Sequence, residues 1–484
     1  MPSKQKLISI LLIAIVIVGT FLRFYDLPSL MHFADDEGRD AFIARDIAKG
    51  KEFPLLGPSS STGDFSLGPA FYYMMAFTFL VSNNSEVAPA VMVASFGVLT
   101  IILLYKVGED IFSSKAGLAA AALYSFSYLA VLHNRWSWNP NTLPFFIVVI
   151  LFCLYKINIK KEYRWKFWDK GGRWLVVLFV CVAVAVQLHA SAFILIPSII
   201  FFWIIKRPNV RSPLPWLVGV MLFFAILGPL IAYDLAHDFA NLRGMLDVGR
   251  GDGNLMSFQK IRVAASESVK FVDVLVFAGL SRILSFLLVV FSGLYLILKI
   301  FFKKNREKTK DISIFMLIFV IIAFVSFCLY KGKFFTHYFI GLMPVVLLII
   351  GYSLDFYKKK FRLNAAFSIA LIIFLMYLNM NTIIVRFGGL VDGTAAGEFG
   401  VPLKDERAVV NYIADQGDDS FSFESVSKDR YDRAFLYLMD SRGLAPAEDA
   451  DREYLVYRTC EETEFVSDGS FSEKLRFGTL TLLK

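Results

Sequence analysis

The chain has 484 residues, 56% of them hydrophobic and only 19% charged, with 49 Phe and a mean hydropathy of +0.58. Soluble domains carry about a quarter charged residues. Here the apolar runs are too long and too numerous for a soluble enzyme, a disordered chain or a disulfide scaffold. The net charge of +8 conceals two halves: residues 388–484 hold 20 acidic against 11 basic side chains, and the first 387 hold 39 basic against 22 acidic. The four Cys have no metal-ligand spacing. A basic membrane part fits cytoplasmic loops facing anionic lipid. No basic–aromatic patch points to nucleic acid.

The first expected span is 7–24, preceded by Lys4 and Lys6 and followed by no small-residue cleavage site, so it reads as a retained helix with its N-terminus inside. Ten more apolar runs follow at about 87–105, 116–132, 142–155, 174–188, 190–205, 214–234, 277–298, 312–330, 335–354 and 363–385. The run 69–81 has 13 residues, a length suited to an interfacial or re-entrant helix. If it does not cross, the short cytoplasmic segments hold 24 Lys/Arg and the longer outer ones, the terminal domain excluded, 12. If it crosses, that excess inverts. The expectation is an all-α polytopic membrane protein of eleven spans, N-terminus in and C-terminus out.

The outer face then receives 25–86, 133–141, 235–276 and the turns 187–191 and 331–337. After a linker at Gly388-Gly389 and 393–400, the acidic tail reads as a small outer α/β domain, with strands near 420–426 and 453–459 and a helix at 432–439. The division expected is 1–387 and 388–484. Span centres carry no Asp, Glu, Lys or Arg. A charge there costs at least ~2.5–3.5 kcal/mol, which pumps and ion-coupled transporters accept for their pathways. Its absence favours an enzyme working at the outer membrane boundary.

The densest polar signal is His32-Phe33-Ala34-Asp35-Asp36-Glu37-Gly38-Arg39-Asp40. Apolar residues recur at helical spacing from Glu37 to Lys49, as in a helix lying on the membrane surface. Asp35 or Asp36 suits an N-cap as well as it suits catalysis. Three consecutive acids nevertheless exceed what a cap needs. In 133–141, the two Trp read as interfacial anchors and Arg135 is the sole cation. His189 sits in a tight turn, where a hydrogen-bonded helix end is the ordinary role. Lys331, Lys333, His337 and Tyr338 gather at an outer mouth; lysines at span ends commonly snorkel, but here they lie against the positive-inside bias, as an anionic ligand would require.

At these residues the chain resembles the GT-C superfamily of membrane glycosyltransferases, in the branch of protein O-mannosyltransferases and lipid A aminoarabinose transferases. The matching features are Asp36-Glu37-Gly38-Arg39 in the first outer loop, Gly68-Pro69-Ala70-Phe71-Tyr72-Tyr73 after it, and Lys331-Gly332-Lys333 with Tyr338 and Pro344. Ser66-Leu67-Gly68-Pro69 departs from relatives that carry an acid and a Lys before this Pro, and Asp64 is the candidate substitute.

The resemblance implies transfer of a sugar from a polyprenyl-phosphate donor to an acceptor hydroxyl of a protein, lipid or glycan, outside the inner membrane. It implies Asp36 as base, Glu37 as supporting carboxylate and Arg39, Arg135, Lys331, Lys333 and Tyr338 as phosphate contacts. Asp35, Asp64, His189 and His337 are accessory candidates. A lipid phosphate is a competent leaving group, so a base and cations suffice, and one displacement inverts the anomeric centre. No cofactor is required; a divalent cation between Asp36, Glu37 and phosphate is compatible with this scheme. The alternatives are a lipid-linked oligosaccharide polymerase or ligase, and a lipid flippase or transporter.

Overall fold

The computed structural model describes residues 2–60, 63–158, 171–247, 257–301, 307–330, 332–354, 362–395, 400–418, 420–426, 431–447, 450, 452–464 and 471–484. The chain opens with α1 (Pro2–Phe24), the short α2 (Leu27–Leu30) and α3 (Asp35–Ala48). Next come α4 (Ala70–Ser82), α5 (Ala88–Ile111), α6 (Ser114–Phe126), α7 (Tyr128–His133) and α8 (Leu143–Ile157). The middle of the chain forms α9 (Gly172–Leu188), α10 (Leu195–Ile205), α11 (Pro213–Ala236), α12 (Ala240–Asp247) and α13 (Phe258–Phe277). The last apolar helices are α14 (Arg282–Phe301), α15 (Glu307–Leu329), α16 (Met343–Leu354) and α17 (Arg362–Asp392).

Among the described residues, eight helical stretches are long and apolar enough to cross a membrane. Gln5–Phe24, Ala88–Ile111, Asn139–Ile157 and Pro213–Ala236 form the first four, and Arg282–Phe301, Thr309–Leu329, Thr336–Leu354 and Ala366–Asp392 the others. Gly172–Leu188 and Ala190–Ile205 are shorter apolar helices, as is Ala70–Ser82 in the first loop. The run expected at 116–132 is not one helix: it breaks at Ser127 between α6 and α7.

The break has a visible cause in its partners. Helix ends leave carbonyls without intrahelical donors, and Arg23 donates to the carbonyls of Tyr124 at 3.2 Å and Ser125 at 3.2 Å while its Nε bonds Asn134. On the other side, Asn379 of α17 accepts the Tyr128 amide at 2.8 Å and donates to the carbonyl of Val276. Arg23 and Asn379 therefore stitch α1, α6, α7, α13 and α17 together.

Two sequence expectations are corrected here, the start of the span at 277–298 and the linker at Gly388-Gly389. The segment 235–276 is largely helical: α13 buries Phe271, Val272, Leu275 and Val276 in the main core formed by α5, α6, α8, α9, α15 and α16. The span expected at 277–298 starts later, at Arg282, because Ala278 (φ 53°) and Gly279 (φ 85°) turn the chain sharply after α13. The linker expected at Gly388-Gly389 lies inside α17, which continues to Asp392.

Beyond α17, the tail contains α18 (Leu403–Gln416), β1 (Ser422–Ser425), α19 (Asp432–Asp440), β2 (Glu453–Arg458), β3 (Lys474–Phe477) and β4 (Leu480–Leu483). The four strands form one sheet in the order β1-β2-β4-β3, with β1 and β2 parallel across α19 and the other pairs antiparallel. Its apolar side does not close on itself. Val401, Leu403, Val409, Phe435, Tyr437 and Leu438 share one core with Phe33, Ala41, Ala44, Phe71 and Met75 of the first loop. The tail and the first loop are one packed body.

Candidate active site

Helix α3 begins directly after an extended Ala34. Neither Asp35 nor Asp36 is its cap, contrary to the capping alternative. Glu37 instead turns back, and its Oε2 accepts the Ala34 amide at 2.8 Å, half of a capping box. That duty buries Glu37: its side chain is 1% exposed, 3.7 Å from His32 Nδ1. Its Oε1 has no hydrogen-bond partner. Burial, then the neighbouring Asp36, pushes its pKa well above the usual carboxylate range. Glu37 is thus a buried acid with a raised proton affinity rather than a second carboxylate in the open site.

Asp36, one residue earlier, points the other way and is 49% exposed. It pairs with Arg39 at 2.7 Å, one turn on. Arg39 is held from behind by Asp40, which accepts from Nε at 2.8 Å and from Nη2 at 2.7 Å. Burial raises the Asp40 carboxyl to about 7 against the opposing pull of Arg39. Although burial works against the Arg39 charge, Asp40 and then Asp36 more than offset it and raise its pKa. Tyr72 of α4 faces the same pair.

Asp36 and Arg39 line a cavity of ≈ 640 Å³. Its remaining wall comes from each of the polar segments singled out in the sequence: Trp138, Asn139 and Pro140; His189 and Ser191; Tyr330, His337 and Tyr338. Phe65, Leu67, Ile194, Pro197 and Phe327 give it an apolar side. The first loop reaches this place because Gly68 lies against Gln187: a Cβ at Gly68 would sit 2.3 Å from that side chain. His189 accepts the Ser191 amide at Nδ1, 3.1 Å away, which leaves the proton of a neutral ring on Nε2. Burial lowers His189 to about 4. The rings of His189, His337 and Tyr338 stand edge to face or tilted at 4.5–5.8 Å, next to Trp138. The Tyr330 and Tyr338 hydroxyls are 3.3 Å apart.

Other sequence candidates fall elsewhere. Arg135 is buried outside the cavity wall, donating to the carbonyls of Leu22 and Arg23 at 3.1 Å and lying over the Phe387 ring. It joins α1 to α17, and its Nη2 is buried with no hydrogen-bond partner. Lys333 is exposed, its Nζ 5.5 Å from the Phe335 ring centre, and does not line the cavity. Asp64 is exposed and also off the wall. Asp35 accepts the Arg433 amide of α19 at 3.0 Å. Lys331 lies outside the described residues. Among the described residues no group of three or more His, Cys, Asp or Glu is placed to hold a metal ion; of the two carboxylates compatible with a divalent cation, Glu37 gives one oxygen to the Ala34 amide.

The sequence reading missed Asp40, Tyr330 and Trp138 as parts of this place. Asp40 could have been found from its position four residues after Asp36 and beside Arg39, which puts all three on one helical stretch. Tyr330 and Trp138 gave no such signal, since aromatic residues abound at membrane boundaries.

The comparisons support the resemblance to the GT-C glycosyltransferases in the fold of the helical membrane bundle. Residues 66–233 match the family model described as dolichyl-phosphate-mannose-protein mannosyltransferase. The fold is similar to the crystal structure of ArnT from Cupriavidus metallidurans in the apo state, with a TM-score of 0.62 at 11% identity over 100% of this chain and 98% of that one. It is also similar to the same protein bound to undecaprenyl phosphate, with a TM-score of 0.57 at 13% identity over 98% and 97%. The archaeal oligosaccharyltransferase AglB from Archaeoglobus fulgidus, in complex with an inhibitory peptide and a dolichol-phosphate, gives a TM-score of 0.56 at 12% identity over 95% of this chain and 70% of that one. No curated protein matches the sequence.

Proposed function

We propose that this chain transfers a sugar from a polyprenyl-phosphate donor to an acceptor hydroxyl at the outer face of the inner membrane. The observation carrying this reading is the convergence of Asp36 and Arg39 with His189, His337 and Tyr338 around one cavity, polar where α3 enters and apolar along Phe65, Leu67 and Phe327. Undecaprenyl phosphate bound to ArnT and dolichol-phosphate bound to AglB support a lipid-phosphate donor in a shared fold.

In this scheme the acceptor oxygen attacks the anomeric carbon as the carbon–oxygen bond to phosphate breaks, and that electron pair leaves on the phosphate. Asp36 takes the acceptor proton, for which its partial exposure gives access. Arg39 holds the phosphate as its charge grows, with Tyr330 and Tyr338 as hydroxyl donors. Lys331 keeps the phosphate role that its motif implies. A single displacement of this kind inverts the anomeric centre. The outer placement of the site and tail rests on the Lys/Arg bias of the loops.

Purified protein incubated with a panel of polyprenyl-phosphate sugars, and mass spectrometry of protein, lipid and glycan acceptors, tests the proposal. A single sugar added to one acceptor class supports it. Addition of preassembled oligosaccharide only would assign the chain to lipid-linked polymerases or ligases, and uptake into proteoliposomes without covalent transfer to transporters.

A further inference from the structure

Helix α3 carries two functional stripes. Asp36 and Arg39 line the cavity, whereas Asp35, Gly38, Phe42 and Arg45 recur at i, i+3, i+7 and i+10 and meet the tail. Asp35 accepts the amide of Arg433 in the first turn of α19, a donor that helix leaves unpaired. Arg45 pairs with Asp440 at the other end of α19 and lies over the Tyr437 ring, 5.2 Å from its centre. Phe42 meets Tyr437 edge-on at 5.1 Å. Between these contacts the backbones nearly touch: a Cβ on Gly38 would lie 2.4 Å from the Arg433 carbonyl carbon and 2.5 Å from the Ala434 nitrogen. The two helices therefore run parallel, locked at both ends, with glycine at the crossing.

Only Asp36 and Arg39 reach the cavity from α3; the rest of its wall belongs to the loops and spans. We propose that the tail helix α19 is a positioning element for the reaction, fixing through Gly38 and Arg45 where α3 presents Asp36 and Arg39. This rests on the glycosyltransfer reading above. The tail then acts on catalysis without touching substrate: it sets the distance between the base and a donor held by the other walls. Displacement of a reacting group by about 1 Å costs roughly a hundred-fold in rate.

The test uses the full-length protein in detergent or vesicles. Gly38→Ala wedges a methyl group between α3 and α19 and is expected to lower kcat by about ten-fold or more. The donor KM should change less than about three-fold, because the apolar wall that holds the lipid is untouched. Arg45→Asp should lower kcat in the same way, and adding Asp440→Arg should restore it to within about three-fold of the parent by re-forming the pair with reversed polarity. A readout without turnover is the alkylation rate of Asp36→Cys, expected to change when Gly38→Ala is added. If the parent transfers no sugar at all, the glycosyltransfer reading fails while the alkylation comparison still decides the positioning. Parental kcat in Gly38→Ala, a loss that merely follows the fraction of folded protein, an unrescued charge swap, or an unchanged alkylation rate would each overturn the inference.

Discussion

Asp40 offers a prediction whose direction and order of magnitude both follow from its place in the fold. Its carboxyl is fully buried on α3 beside Arg39, and its pKa stands at about 7 instead of the usual 3.8. Keeping it ionised in the folded protein therefore costs on the order of 4 kcal/mol relative to the unfolded chain. The folded state binds the proton more tightly, so the stabilising contribution of this group is complete below about pH 4 and is lost as the pH rises through about 7. Asp40→Asn retains an oxygen for Arg39 Nε and removes the charge. At pH 8 the variant should be more stable than the parent by up to that amount, and the fall in stability between pH 4 and 7 should shrink accordingly. Under the proposed phosphate role of Arg39, the same proton governs how much of its charge is left for the donor, so the donor KM should fall as the pH drops through about 7, an inflection that Asp40→Asn removes. Denaturant titration of the detergent-solubilised protein at several pH values, with donor KM measured alongside, checks both. A variant less stable than the parent at pH 8, with an unaltered pH dependence, would refute the reasoning.

Three further outcomes follow from the geometry. Glu37→Gln keeps an acceptor for the Ala34 amide and removes a buried acid whose pKa is raised, so thermal unfolding at neutral pH should be unchanged or higher and the transfer rate should stay within about ten-fold of the parent, below the range of losing a base. Arg135→Ala strands the carbonyls of Leu22 and Arg23; unfolding measurements should show a loss of about 1.5–3 kcal/mol, with the donor KM unaffected. Cysteines placed at Asp64 and Asn84, on either side of α4, should both react with an impermeant thiol reagent from outside, whereas labelling of Asn84 from the cytoplasm alone would invert the topology.

Much of the bundle was legible because membrane helices announce themselves by length and hydropathy. The break at Ser127 was not, since it depends on Arg23 and Asn379, which lie far away in the chain. Likewise the site segments could be placed on one side by the charge of their loops, but which residues meet was decided by tertiary contacts. Arg135 and Lys333 looked alike as outer cations; the first is buried, with one guanidinium nitrogen donating to backbone carbonyls, and the second remains at the surface. Glu37 and Asp36 are neighbours in sequence, yet the capping geometry sends one into the core and the other into the cavity. In the tail, β1, α19 and β2 overlap the segments where alternation and helical spacing were readable, whereas α18 and the β3–β4 pair gave no local pattern strong enough to find.

The central claim is that Asp36 takes the acceptor proton. Asp36→Asn preserves the size of the side chain and an oxygen for Arg39, and Asp36 is not the cap of α3, so folding should be intact. The decisive measurement is the single-turnover transfer rate of Asp36→Asn from a polyprenyl-phosphate sugar, with donor binding monitored in the same sample. A loss of about 10²–10⁴-fold at nearly unchanged donor affinity is predicted; turnover close to that of the parent would contradict the account and leave Asp36 as a surface partner of Arg39.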